Sequence, residues 1–279
     1  MMTKKRIHGG EVVQICILWI VTLIFLFPFL ISVLMALKSK QDTAKGILTW
    51  PSHIEWSNFT QAIEKANIFA SMRNSIVVTV LAVVVTLFAS SMAGYAIARN
   101  YKNKHFKFYE ALMIAAQMIP FQSLMIPIYK MYKQLGWMNT IPGAALLIGA
   151  MNMPFAIMMI IGFVRSLPIE LEEAAELEGC NRFQIFFKII FPLLRPVLAT
   201  VTILDALWTW NEVNISILIL QKNEVKTIPL QQYVFFGEHS ADYNMAFAAA
   251  IISMIPIVIF FIVAQKNIIA GMTAGAVKG

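Results

Sequence analysis

The sequence predicts an all-α membrane protein with six transmembrane helices, and three observations carry that expectation. Of its 279 residues, 59% are hydrophobic and only 13% charged, about half the charged share of an ordinary soluble domain. Several apolar runs reach the roughly 20 residues that cross about 30 Å of hydrocarbon. These runs are continuous rather than alternating, which argues for helices and against a β-barrel. The mean hydropathy of +0.71 agrees.

Lys4, Lys5 and Arg6 precede the first apolar run, 12–37. It is longer than the roughly 7–15-residue core of a signal peptide, so an uncleaved span is expected, kinked at Pro28. A polar segment with Trp50, Pro51 and Trp56 follows, an aromatic set suited to a membrane interface. The second span is placed at 75–98. Arg99, Lys102, Lys104 and Lys107 after it give the clearest positive-inside signal in the chain.

The third span, 108–132, is expected to be broken by Pro120 and Pro127 and carries Gln117 and Gln122. Prolines at membrane depth free carbonyls that neighbouring helices or a wet cavity must satisfy. A turn near Gly136 leads to the fourth span, 141–164, with Asn152 midway. A charged loop, 165–192, separates it from the fifth span, 196–220, and a last span follows at 244–264. Both termini are then expected on the inner face. Thirteen of the 22 basic residues fall in the assigned inner segments, a modest bias that Lys38 and Lys40 oppose. The expected domain organisation is a single membrane domain over 1–279.

The charged loop concentrates the acids: five of the chain's fifteen are glutamates between 170 and 178. Pro168 suits a first helical position, Glu170, Glu172 and Glu173 favour the start of a helix, and Gly179 suits a left-handed stop. A helix over 168–178 is expected. At 100° per residue, Leu171, Ala174 and Ala175 share one arc, with Glu172, Glu173 and Glu176 opposite. The two alanines would let another surface approach the backbone closely. Asn181 with Gln184 forms a capping-box signal for a second helix over 182–191, rich in phenylalanine and ending at Pro192.

Other function classes find little footing. The net charge of +7 is explained by basic residues flanking spans rather than by nucleic acid. Two cysteines in different settings form no disulfide framework, and the four histidines offer no metal-ligating spacing, so no metal site is expected. No Gly-Lys dipeptide occurs, which excludes a P-loop. No nucleophile–base pair stands out, so the chain is expected not to be an enzyme.

In the loop, Glu173-Ala174-Ala175, Gly179, Ile189 and Pro192 resemble the E-A-A, Gly, I-x-L-P pattern of permease subunits of ATP-binding-cassette (ABC) importers. Phe191 replaces the usual leucine. Trp210-Asn211-Glu212, Trp50-Pro51 with Asn58-Phe59, and the tail from Gly271 to Gly279 resemble the carbohydrate branch of that family, of the maltose-type, smaller six-span kind. The resemblance implies a type I importer permease fold with a cytosolic coupling helix at 168–178, seated on an ATPase subunit. It assigns that contact to Glu173, Ala174, Ala175, Gly179, Ile189 and Pro192. It sends the tail, Gly275, Ala276, Val277, Lys278 and Gly279, toward the ATPase interface, and turns segment 221–243 toward an extracytoplasmic sugar-binding protein.

The function implied is ATP-driven, binding-protein-dependent import of a sugar, of oligosaccharide size, through the membrane of a bacterial or archaeal cell. A second permease and two ATP-binding-cassette subunits would complete the assembly. ATP and Mg would be bound by the partner ATPase, with no cofactor on this chain. Candidate residues for the sugar path are Gln117, Asn152, Trp208, Asn211 and Glu212. On a continuous fifth helix, Asp205, Trp208 and Glu212 would share an arc of about 60°, with the acids accepting hydroxyls and Trp208 stacking on a sugar ring. For Asp205 and Glu212, contacts between helices or a place at the outer rim are the plainer expectation. An alternative function is an ion-coupled secondary transporter using Asp205 or Glu212. It would call for more spans and matching broken helices in two halves.

Overall fold

The structure, a computed structural model, describes the backbone of residues 9–237 and 241–276. Its regular structure among these residues is helical, apart from one isolated bridge between Phe236 and Ala241. In chain order the helices are α1 Gly9–Ala36, α2 Lys40–Lys45, α3 Ser57–Lys65, α4 Ile68–Arg99, α5 Lys104–Ala116, α6 Phe121–Gln134 and α7 Ile141–Val164. They continue as α8 Glu170–Leu177, α9 Arg182–Ile185, α10 Phe191–Leu193, α11 Arg195–Trp210, α12 Asn214–Ile219, α13 Ile228–Gln231 and α14 Tyr243–Ala276.

Among the described residues, Val12–Ala36, Ile68–Arg99, Ile141–Val164 and Tyr243–Gln265 are long and apolar enough to cross a membrane. Two bent helix pairs are long and apolar enough when each is taken together: Lys104–Ala116 with Phe121–Gln134, at 103°, and Arg182–Leu193 with Arg195–Trp210, at 71°. Counting each pair as one span gives six. Leu18, Trp19 and Phe25 on α1 are each more than 60% exposed, as lipid-facing side chains can be at no hydrophobic cost.

Several expected boundaries change. The third span consists of two helices, α5 and α6, which part where Pro120 is extended (ψ 134°) and N-caps α6, while Pro127 lies inside α6. The fifth span does not run unbroken from 196 to 220. Helix α11 ends at Trp210, the chain turns, and α12 restarts at Asn214. The second loop helix does not stop at Phe191. It passes through a π-helical turn, Phe186–Ile190, and continues into α10. Pro192 has no N–H to give to the carbonyl of Lys188, and Phe191 N–H reaches back five residues to Phe186, the widened register of a π-turn.

The chain divides into two compact units. The smaller joins Met1–Ile68 to Gln232–Met254. Its polar interior satisfies carbonyls at the end of α1, which have no partner further along the helix. Asn58 donates to the carbonyls of Ala36 and Lys38, at 2.9 and 2.8 Å. Asn244 donates to those of Met35 and Lys38, at 2.8 and 3.0 Å. The ammonium of Lys38 is fully buried and donates to the carbonyls of Gly46 and Ile47 and to the Thr49 hydroxyl. Asp42 accepts from Lys45 and from both the backbone and hydroxyl of Ser52. These bonds hold its carboxyl well below the usual carboxylate range.

The larger unit, Phe69–Gln231 with Ile255–Gly279, is organised by α4 against α7. A Cβ on Gly94 would lie 2.7 Å from Cγ2 of Ile160, so only glycine allows the backbones to come this close. Further along, the Thr86 hydroxyl donates to the carbonyl of Gly149 at 3.2 Å. Small residues and hydroxyl bonds of this kind hold helices together where lipid removes the hydrophobic driving force. A core of Ile97, Ile157, Ile160, Ile161 and Val164 extends from this pair to Ala175, Ile185, Phe186 and Ile190, packing the acidic loop onto the span ends.

Candidate functional site

Helix α8 is shorter than the expected 168–178, occupying eight residues. Its end is a Schellman motif. Cys180 N–H bonds to the carbonyl of Ala175 and Gly179 N–H to that of Glu176, both at 3.0 Å, with Gly179 at φ +83°. That backbone region admits glycine at little cost and opposes other residues. The next helix begins with the expected capping box. Gln184 N–H donates to the Asn181 side chain at 2.9 Å, and Asn181 N–H to the Gln184 side chain at 2.8 Å.

The faces of α8 differ from the arcs expected. Ala175 is buried in the chain's own core, and so is Glu172. Glu173 and Ala174 are exposed, as is Leu177 at 90%. The reason is electrostatic. Arg99 Nε donates to Glu172 Oε1 at 2.6 Å and the Tyr95 hydroxyl to Oε2 at 2.7 Å, which turns this glutamate inward and brings Ala175 with it. Ala175 therefore supports the helix from behind, while Glu173, Ala174 and Leu177 form the face open to a partner. Gly179 and Pro192 are also exposed, and Ile189 is half-buried against the core.

A second ion pair secures the start of the loop. Arg165, the C-cap of α7, binds Glu110 of α5 with two parallel bonds of 2.8 and 2.6 Å. The geometry is the bidentate fork that makes arginine–carboxylate pairs strong. Sequence reading missed Tyr95, Arg99 and Glu172 as a group, because they come from segments 73 or more positions apart. The one available signal was an arginine closing a long apolar helix.

Of the sugar-path candidates, only some are brought together. Asn152 on α7 donates to Asp205 on α11 at 2.5 Å and lies 3.5 Å from the Thr209 hydroxyl. Asp205 is buried, joining the two helices. Trp208 is 46% exposed, and its ring meets Phe155 edge-on, with centroids 4.8 Å apart. Phe155 is a neighbour the sequence did not nominate.

Glu212 does not share an arc with Asp205 and Trp208, because α11 has already ended. Its carboxylate accepts from the N–H groups of Ile215 and Ser216, at 2.6 and 2.9 Å, and so caps α12. Asn211 and Gln117 are exposed and donate to carbonyls of their own helices, Leu207 and Met113. Gly275 and Ala276 end α14, while Val277, Lys278 and Gly279 lie outside the described residues. Among the described residues, no cluster of three or more metal-ligating side chains occurs.

Comparison with known proteins places this arrangement. The melibiose/raffinose/stachyose import permease protein MelC of Bacillus subtilis (strain 168) is 36% identical over 253 residues, covering 90% of this chain and 91% of that one. The multiple sugar-binding transport system permease protein MsmG of Streptococcus mutans serotype c (strain ATCC 700610 / UA159) is 36% identical over 259 residues, 92% and 93% of the two chains. A chain from the crystal structure of a bacterial ABC transporter involved in the import of the acidic polysaccharide alginate superposes with a TM-score of 0.77. It is 25% identical, and the match covers 95% of this chain and 98% of that one. The fold is that of a type I ABC importer permease, a multi-pass membrane protein. The profile described as binding-protein-dependent transport system inner membrane component matches residues 90–274, two thirds of the sequence, and the chain belongs to that family.

Proposed function

We propose that this chain is the permease subunit of an ATP-driven, binding-protein-dependent sugar importer, carrying an oligosaccharide through half of a shared path. The observation that carries the reading is α8. It is a short helix pinned to the span ends by Glu172 and stopped by Gly179, with Glu173, Ala174 and Leu177 presented outward. Such a helix suits docking into another subunit, and the chain has no phosphate-binding loop of its own. ATP and Mg are therefore assigned to a separate ATPase subunit, with α8, Gly179, Ile189 and Pro192 at or behind the contact and the tail 275–279 directed toward it.

The remaining partners are a second permease and an extracytoplasmic sugar-binding protein. Both termini are assigned to the cytoplasm, on the side of α8. The relatives named for sugar import support the substrate class. Trp208 beside Phe155 offers the aromatic face on which a sugar ring can stack, with Asn152 as a hydrogen-bonding neighbour on the same helix pair. Gln117, Asn211 and Glu212 are secondary candidates for the path.

The test is uptake by the reconstituted transporter in sealed vesicles, using radiolabelled melibiose, raffinose and stachyose as probes. Uptake of at least one sugar is expected only with ATP inside and binding protein outside. Uptake that follows an ion gradient and ignores ATP would overturn the reading.

A further inference from the structure

We infer that Glu172 is the positioning residue that fastens α8 to the end of α4, so that displacement of α8 by the ATPase subunit is delivered to the spans rather than absorbed by the loop. The inference rests on the ATP-driven permease reading above and adds the link within this chain that would carry the motion.

Among the five glutamates between 170 and 178, Glu172 alone is buried, at 7% exposure; the other four are exposed. Both of its carboxylate oxygens are occupied, Oε1 by Arg99 Nε and Oε2 by the Tyr95 hydroxyl. The side chains of Arg99 and Glu172 are only 14% and 10% exposed, so salt screens the pair less than an open surface pair. Arg99 also donates through Nη2 to the carbonyl of Leu167 at 3.3 Å. One guanidinium thereby holds both α8 and the segment leading into it.

Tyr95 lies one turn earlier on α4, and its ring packs on Phe186, with centroids 5.4 Å apart. The last turns of α4 therefore touch the chain before α8, α8 itself and the helix beyond Gly179. From there α4 is coupled onward without slack. Gly94 abuts Ile160 of α7, and Thr86 is hydrogen-bonded to the carbonyl of Gly149. Asn152, bonded to Asp205 of α11, lies one turn along α7 from Gly149. Packed helices of this kind shift as bodies rather than deform. The exposed glutamates of α8 form no ion pair among the described residues, so Glu172 is the charged attachment of this helix to the spans.

The measurement is sugar imported per ATP hydrolysed by the full transporter in proteoliposomes, with saturating binding protein and the best-transported sugar of the uptake panel. Glu172→Gln removes the charge but keeps the shape, and the loss of a charge-assisted pair is expected to lower the ratio about tenfold. The exchange Glu172→Arg with Arg99→Glu restores the ion pair but not the bond to the Leu167 carbonyl, and is expected to recover part of it. Tyr95→Phe removes one hydroxyl and is expected to lower the ratio to a smaller degree, which keeps the test decisive if Glu172→Gln does not assemble.

An unchanged ratio in Tyr95→Phe and in assembled Glu172→Gln would overturn the inference. So would a loss of import that only tracks loss of the ATPase subunit from the purified complex and is not recovered by the exchange. Failure of the unmodified transporter to import with ATP would instead defeat the function reading itself.

Discussion

Asn152 on α7 donates its side-chain amide to the carboxylate of Asp205 on α11, and Thr209, one turn further along α11, lies within reach of both. A buried acid between two apolar helices is costly unless paired, so this contact fixes the register of α7 against α11. Asp205→Ala would leave the amide only its longer contact to the Thr209 hydroxyl. It is expected to lower stability by about 1–2 kcal/mol, and Asp205→Asn by less. Thermal unfolding of the purified complex in detergent measures the difference.

Gly179 is the position where loop geometry leaves least choice. Its φ of +83° costs any Cβ-bearing residue about 1–2 kcal/mol, although the space around it is open. Gly179→Ala is expected to fray the end of α8 and reduce both ATPase-subunit retention and sugar uptake. Gly179→Asn, which tolerates the left-handed region better, is expected to keep more of both. Co-purification and vesicle uptake on the same preparations separate assembly from transport.

Gly94 fails for a different reason, contact rather than conformation. Gly94→Ala drives a methyl against Ile160 Cγ2, and overpacking of this kind costs about 1–3 kcal/mol. Adding Ile160→Ala removes the Cγ2 contact and leaves Cβ at 2.9 Å, so it relieves the clash in part. The double variant is expected to be more stable than the sum of the two single changes allows, as a thermal double-mutant cycle would show.

Trp208 is half-exposed and meets only Phe155 among aromatic rings of the described residues. Trp208→Ala is expected to leave assembly intact and to reduce uptake by about tenfold, consistent with losing one stacking contact. Concentration-dependent uptake measured alongside subunit stoichiometry tests this. Unchanged kinetics would reassign the residue to packing.

Asp42 predicts an acid limb in the stability of the smaller unit. Lys45 and Ser52 lower its folded value, so the stabilisation is present above the ordinary aspartate range near 4. It is lost progressively as pH falls below that range toward the folded value. Asp42→Asn is expected to lower stability at neutral pH and to flatten the profile below about pH 4. Thermal unfolding at a series of pH values distinguishes the two behaviours.

Much of the loop was legible because its signals are local. The Asn181–Gln184 capping box, the glycine stop and the acidic first turn each depend on residues within a few positions of one another. The prolines beside both breaks, Pro120 before α6 and Pro196 in the first turn of α11, were in view as well, but proline marks where a helix departs and not by how much. The bends of 103° and 71° come from how the pieces pack. Glu212 was misplaced because the arc assigned to it assumed an unbroken helix, whereas its own carboxylate caps the restart at α12.

The sequence by itself determined the solvent, the helices and the motif, since apolar run length, capping residues and the spacing from Glu173 to Pro192 are properties of neighbouring residues. Only the tertiary structure decided which face of α8 looks outward. That choice depends on Tyr95 and Arg99, more than seventy residues away, closing around one of five similar glutamates. A helical wheel assigns all of them angles, but the partner that takes one inward is set by packing between distant segments.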